Sequence, residues 1–194
     1  KLSDFKLTDV VIEITKECNF RCVHCGSGCT DIPGEEITTE EWIPVICELS
    51  EIGVEKIVFS GGEPTIKRRV EILFSRIVGL GMEYGLISNG SKMSDMMIDA
   101  LVKNKPFAVG FSVDGMEKTH NRIRRNQKSW QNCMESIGRV KEAKLPICIV
   151  TTINTWNCGE LDELAQLADS LKAECWQLQL TFPGGRAKQQ ENFL

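Results

Sequence analysis

Six short runs rich in β-branched and aromatic residues, at positions 10–15, 56–60, 84–88, 108–113, 147–153 and 176–181, alternate along this chain with stretches of helical character. Runs this short and this apolar read as strands of a parallel sheet buried on both faces. Each connection is long enough for a crossover, so the order predicts an α/β fold around one parallel sheet. Six such strands can make a doubly wound sheet or an incomplete barrel, and periodicity alone does not choose between them. With 194 residues, no low-complexity segment and no Gly/Ser linker, residues 1–194 read as one domain.

The intervening segments carry helix signals. Thr38-Thr39-Glu40-Glu41 offers a capping box ahead of Trp42, Ile46 and Leu49. Pro44 interrupts that pattern and predicts a late start or a bend. Further helices are expected over 70–80, 95–102, 130–143 and 161–171. Leu161, Leu164, Ala165, Ala168 and Leu171 form the apolar face of the last one.

Bulk properties exclude several partners. The net charge is −4, and the tightest basic clusters are Lys67-Arg68-Arg69 and Arg122-Ile123-Arg124-Arg125. Neither has the flanking aromatic platforms of a nucleic-acid site, so no nucleic-acid partner is expected. No apolar run approaches the roughly 20 residues that span a bilayer. No charged segment followed by an apolar one opens the chain, so a cytoplasmic protein is expected. The nine cysteines are an odd number, which rules out complete disulfide pairing and favours thiolates as metal ligands in a reducing compartment.

Four of those cysteines lie between residues 16 and 37, a long connection with no apolar period. Loops of that length inside a compact domain are usually functional. In parallel sheets ligands gather at the carboxyl ends of strands, where this loop begins. Cys18-Asn19-Phe20-Arg21-Cys22-Val23-His24-Cys25 spaces three thiolates as Cys-x3-Cys-x2-Cys. A loop can wrap that spacing around three corners of an iron–sulfur cubane, leaving the fourth iron open to bind and activate a ligand. Two alternatives stand beside it: a structural zinc site completed by His24 or Cys29, and an electron-transfer cluster fully ligated with Cys29.

At these residues the chain resembles the radical S-adenosylmethionine superfamily. The resemblance implies a 4Fe-4S cluster on Cys18, Cys22 and Cys25, with the open iron chelated by the amino and carboxylate groups of S-adenosylmethionine. Reductive cleavage of the sulfonium would release a 5′-deoxyadenosyl radical, with a flavodoxin- or ferredoxin-type protein as electron donor. His24 holds the place of a residue that lies near the adenine. Ser60-Gly61-Gly62-Glu63-Pro64, at the second strand end, is similar to the family's glycine-rich motif for the methionine amino group. Glycines there let a ligand approach the backbone, and Glu63 offers an acceptor to an ammonium. Ser88-Asn89-Gly90 ends the third strand, where polar groups of the family face the ribose or the methionine end.

Phe111-Ser112-Val113-Asp114-Gly115, followed by His120-Asn121-Arg122-Ile123-Arg124, resembles the family's Ser-x-Asp-Gly strand end. By that match Ser112 and Arg124 hold the methionine carboxylate, which a planar guanidinium grips in two places; Arg122 competes with Arg124 for the role. His120 reads as structural. On the sixth strand, alternation points Gln177 and Gln179 to one face, and Gln179 is a candidate ligand contact.

The resemblance reaches from residue 10 to about 187 and implies a partial TIM barrel of six βα units. It is strongest toward peptide-modifying members with a C-terminal SPASM or twitch domain, on the residues 18–27 and on Trp176-Gln177-Leu178-Gln179 and Gly185-Arg186-Ala187. The substrate expected is therefore a peptide or small protein. A radical enzyme acting on a small molecule such as a tetrapyrrole is the alternative, and a zinc-stabilised binding module without catalysis is the alternative of another class. The chain begins at Lys1 and reads as a truncated core, with an auxiliary-cluster domain expected beyond Leu194. Cys29, Cys47, Cys133, Cys148, Cys158 and Cys175 match no cluster motif.

Overall fold

The computed structural model describes residues 6–30, 34–189 and 193. Residues 31–33 of the cysteine-bearing connection and the two chain ends, Lys1 and Leu194, lie outside the described residues. Six strands, β1 (Asp9–Glu13), β2 (Lys56–Ser60), β3 (Glu83–Ser88), β4 (Ala108–Ser112), β5 (Ile147–Ile153) and β6 (Cys175–Leu180), form one sheet in the order β1-β2-β3-β4-β5-β6. All five pairings are parallel. A doubly wound sheet would reverse its direction of growth from a central strand. Here each strand is added beyond the last, and right-handed crossovers then place every connecting helix on the same face. The result is a half-barrel, an open partial TIM barrel.

The helices are α1 (Thr39–Glu51), α2 (Glu71–Gly79), α3 (Asp95–Asn104), α4 (Glu117–Arg124), α5 (Ser129–Glu142) and α6 (Leu161–Ser170). Ile57 and Phe59 of β2, Tyr84 and Leu86 of β3, and Val109 and Phe111 of β4 alternate toward that helical layer and are at most 1% exposed. The rings of Phe59, Phe74 and Tyr84 bind β2, α2 and β3 together, with Phe74 stacked on Tyr84 at 4.7 Å.

Burial on both faces, expected from the strand sequences, holds in the inner strands, where residues 147–151 of β5 are buried without a break, and fails toward the edges of the sheet. One-directional winding leaves the concave face without a helical layer, so Val11 of β1 is 67% exposed. Val11, Val58, Gly85 and Ala108 share one register row of that open face. The ring of Phe107 lies against Gly85, where an added Cβ would meet it at 2.7 Å.

Several elements depart from the sequence expectations. α1 starts at Thr39 despite Pro44, because the capping box forms: Thr38 Oγ1 accepts from Glu41 N, and Thr38 N donates to the Glu41 carboxylate. The carbonyl that Pro44 cannot pair belongs to Glu40, which is exposed to water. α4 carries one aliphatic residue, Ile123, and buries His120, Asn121 and Arg124 beside it, so no apolar period marks it in the sequence. Cys148 and Cys175 are register partners on β5 and β6 and form a disulfide with a Cα separation of 4.8 Å. The other seven cysteines are free, so disulfide pairing is incomplete. Among the described residues no helix is long and apolar enough to cross a membrane.

The aromatic cluster behind β2 makes a direct test of the core. Phe59→Ala leaves a cavity among Phe74 and Tyr84 and is expected to cost about 3–5 kcal/mol. Urea unfolding should show a lower midpoint at an unchanged slope.

Candidate functional site

The connection after β1 is a closed loop seated on the sheet. Its two ends meet where Cys18 N donates to Thr30 O at 2.8 Å and Thr30 N to Lys16 O at 2.9 Å. Its base lies against the end of β2, where Gly62 N donates to Thr15 O at 2.6 Å and Glu63 N to Glu17 O at 2.8 Å. A Cβ on Gly62 would stand 2.0 Å from the Glu17 carbonyl, and one on Gly61 2.5 Å from that of Thr15. The two glycines are required by this chain's own backbone; the expectation that they make room for a ligand gives only part of their role. A third anchor joins Val23 N to Ile123 O of α4 at 2.8 Å.

This seating brings Cys18, Cys22, Cys25 and also Cys29 to one place, packed around Phe20. Each of the first three sulfurs faces protein donors. Phe20 N donates to Cys18 Sγ at 3.4 Å, and Asn89 Nδ2 approaches the same sulfur at 4.0 Å. Arg124 Nη1 lies 3.7 Å from Cys22 Sγ. Cys25 is neighboured by the Cys29 thiol and by the backbone of Gly28 and Cys29. Burial pushes the Cys18 thiol up to about 11 and raises Cys22 as well. Cys25 is drawn down to about 5, chiefly by the Cys29 thiol and against its own burial. A thiol ligates as thiolate, so metal binding at Cys18 and Cys22 must displace a proton that burial holds in place.

Glu63 is placed differently from its expected role. Its carboxylate is fully buried and accepts from Thr65 Oγ1 at 2.6 Å, Ser88 Oγ at 2.9 Å and Asn89 N at 2.7 Å. Those bonds use the acceptor capacity that a ligand ammonium would need, and Glu63 does not border the cavity described below. It stands behind Ser88 and Asn89 and fixes them; burial raises its carboxyl above the ordinary range. Asn89 in turn donates to Asn19 Oδ1 at 2.9 Å, joining the β3 end to the cysteine loop.

At the end of β4 the buried carboxylate of Asp114 organises the opposite wall. Arg124 Nη2 lies 2.5 Å from Asp114 Oδ2, and His24 Nε2 lies 3.2 Å from it. Thr152 N donates to Asp114 Oδ1 at 2.9 Å, tying β5 to the same group. Burial alone would push this carboxyl up, but Arg124 and His24 hold it well below the usual carboxylate range. His120 accepts from Asp114 N through Nδ1 and pairs with Ser129 Oγ through Nε2; burial pushes it down to about 3, so it is a neutral structural group as expected. The two arginines point to different places. Arg122 stacks over Trp156 at 3.7 Å, while Arg124 turns inward to the thiols.

These walls enclose a cavity of about 290 Å³ at the carboxyl ends of the strands. Of the residues singled out from sequence, Cys18, Cys22, Cys25, His24, Gly61, Gly62, Ser88, Asn89, Ser112, Arg124 and Gln179 all border it. Gln177 does not, and both glutamines are exposed at the open edge of the sheet, so no buried amide needs a partner there. Sequence reasoning gave no role to Glu13, Thr152 and Arg186, which also border the cavity, or to Asp114 behind it. Asp114 and Arg186 sit inside motifs already noted, and that adjacency was their available signal.

The donor set fits a cluster bound at three corners. Soft thiols are grouped with buried nitrogens that lack a hydrogen-bond partner: His24 Nδ1, Arg124 Nε and Arg186 Nη2. Among the described residues no three His, Cys, Asp or Glu side chains are grouped closely enough to hold a single metal ion.

Comparison with known proteins agrees with this geometry. Residues 12–168 match the profile of the Radical SAM superfamily. The sporulation killing factor maturation protein SkfB of Bacillus subtilis is 27% identical over 176 residues, 91% of this chain and 43% of SkfB. The AdoMet-dependent heme synthase of Methanosarcina barkeri is 28% identical over 181 residues, 92% of this chain and 52% of the synthase. Streptococcus suis SuiB bound to its precursor peptide SuiA superposes with a TM-score of 0.83 at 15% identity, covering 97% of this chain and 43% of SuiB. The chain thus spans about half the length of these relatives.

Two substitutions test the site's construction. Asp114→Asn should cost about 3–5 kcal/mol, because it leaves Arg124 buried without its partner. A carboxyl held low in the folded state contributes stability above its unfolded value, roughly pH 4, and loses it as pH falls. Wild type should therefore lose stability on acidification below about pH 4 more steeply than Asp114→Asn, as read by urea midpoints across pH. Gly62→Ala should displace the loop base, seen as faster amide exchange over residues 15–18.

Proposed function

This chain belongs to the radical SAM superfamily, and we propose that it binds a 4Fe-4S cluster and S-adenosylmethionine to abstract hydrogen from a peptide or small protein. The observation that carries the reading is the convergence of Cys18, Cys22 and Cys25 on one cavity at the strand ends. When bound, the reduced cluster supplies the electron that cleaves S-adenosylmethionine to the hydrogen-abstracting 5′-deoxyadenosyl radical. A flavodoxin- or ferredoxin-type protein is the proposed electron source.

The chain's own residues bind, orient and shield. Cys18, Cys22 and Cys25 are the cluster ligands in this reading. Arg124 keeps Nε free while Asp114 and Cys22 occupy its other nitrogens, so the methionine carboxylate would meet a pre-oriented guanidinium beside Ser112. Gly61 and Gly62 border the methionine side, and Ser88 and Asn89, fixed by Glu63, serve the ribose side. His24 and Gln179 border the remainder, where the adenine is placed by family resemblance. The open concave face gives a substrate access to the cavity.

A peptide substrate is supported by SuiB, whose structure holds the precursor peptide SuiA, and a maturation role by SkfB, named as the maturation protein of a sporulation killing factor. A tetrapyrrole-type small molecule is the second reading, favoured by the heme synthase at comparable identity. A gene for a short precursor peptide beside this one would favour the first.

Anaerobic reconstitution followed by electron paramagnetic resonance tests the proposal. The reduced protein is expected to show a cluster signal that changes on adding S-adenosylmethionine, and Cys18→Ala, Cys22→Ala and Cys25→Ala should each abolish it. A signal indifferent to S-adenosylmethionine removes the proposal. Arg124→Lys should weaken S-adenosylmethionine binding by about tenfold or more, roughly 1.4 kcal/mol, while Arg122→Lys should leave it near wild type.

A further inference from the structure

We propose that Arg186 is a positioning residue that clasps the cysteine loop from the far edge of the sheet and so maintains the spacing of the three thiols. The inference rests on reading Cys18, Cys22 and Cys25 as cluster ligands, and assigns a role to a residue outside the three-cysteine motif.

β1 and β6 are the two outermost strands of the half-barrel. The cysteine loop follows β1, and a 3-10 turn, Gly185–Gln189, follows β6. Across the mouth between them Arg186 holds three loop carbonyls at once. Its Nε donates to Cys22 O at 2.9 Å and its Nη1 to Cys29 O at 2.7 Å. Its backbone N–H donates to Cys25 O at 3.0 Å. The fourth cysteine carbonyl, that of Cys18, accepts from Arg21 Nη1 at 2.8 Å, so every cysteine carbonyl of the loop is held.

The turn is shaped for this contact. Gly185 has φ +47°, and a Cβ there would lie 2.4 Å from Cys25 O and 2.5 Å from Gly26 O. Ala187 is 1% exposed beneath the turn. A guanidinium presents N–H groups in a rigid fork and can bridge two carbonyls from one side; an ammonium is a point donor on a flexible stem. One group of the fork is left over. Nη2 is buried and has no protein partner, and Arg186 borders the cavity. That N–H is available to a sulfur acceptor in the cavity, and hydrogen bonds to cluster sulfurs are among the factors that set a cluster's properties.

Arg186→Gln and Arg186→Lys in the complete protein test this with two readouts. Hydrogen exchange followed by mass spectrometry should show residues 17–30 exchanging about tenfold faster in both variants, with β3 and β4 unchanged. Anaerobically loaded protein should release iron to a chelator about tenfold faster than wild type. Wild-type exchange over 17–30 in the variants overturns the clasp. An equal rise across β3 and β4 makes Arg186 a general stabilising residue and also overturns it. Faster exchange with unchanged iron release shows that the clasp does not serve the thiols. A wild type that takes up no cluster overturns the reading of the thiols instead, and the exchange measurement, which needs no iron, tells these failures apart.

Discussion

Gly62 N–H donates to the Thr15 carbonyl at 2.6 Å, and Glu63 N–H to that of Glu17 at 2.8 Å. At this contact the end of β2 and the base of the cysteine loop run backbone to backbone, with no room for a side chain on either glycine. The position of the thiols relative to the strand ends follows from it. The same turn sends Glu63 beneath the sheet's end, where its carboxylate gathers Ser88 and Asn89. One short segment thus seats the loop on one side and arranges the neighbouring strand end on the other.

The opposite wall depends on a different interaction, the ion pair of Asp114 and Arg124. Burying two charges is expensive, and such a pair is weak ground for stability by itself. Its effect here is geometric. With Nη2 on Asp114 and Nη1 beside Cys22, the guanidinium has a fixed orientation and presents Nε as its remaining donor. The polar inner face of α4, with His120, Asn121 and Arg124 buried, is the local consequence. A helix that would be marginal on its own sequence is held by hydrogen bonds and charge pairing at the site.

Much of the site was legible along the chain because its parts stand at strand ends. Cys18, Cys22 and Cys25, Gly61 and Gly62, Ser88 and Asn89, and Ser112 each follow or close a short apolar run, and in a parallel sheet such positions converge. The direction of the Glu63 carboxylate is something spacing cannot reveal: a carboxylate beside a turn can face the cavity or the sheet, and here it bonds to Ser88 and Asn89. Arg124 was preferred in sequence only by family resemblance, with Arg122 as its competitor two residues away on a segment without apolar periodicity. Trp156 draws Arg122 outward, and Asp114 draws Arg124 inward. Cys148 and Cys175 carry no pairing signal at a separation of 27 residues, and only the β5–β6 register sets them opposite one another.

The parallel α/β class, the number of strands and the grouping of thiols in one loop are written along the chain. These rest on local periodicity and on residue spacing, which are readable there. The tertiary structure decided that the sheet winds in one direction, leaves its concave face open, and lets Arg186 reach the cysteine loop from the opposite edge. Strand order and long-range contact arise from how crossovers pack in three dimensions, and no local pattern encodes which edges will meet.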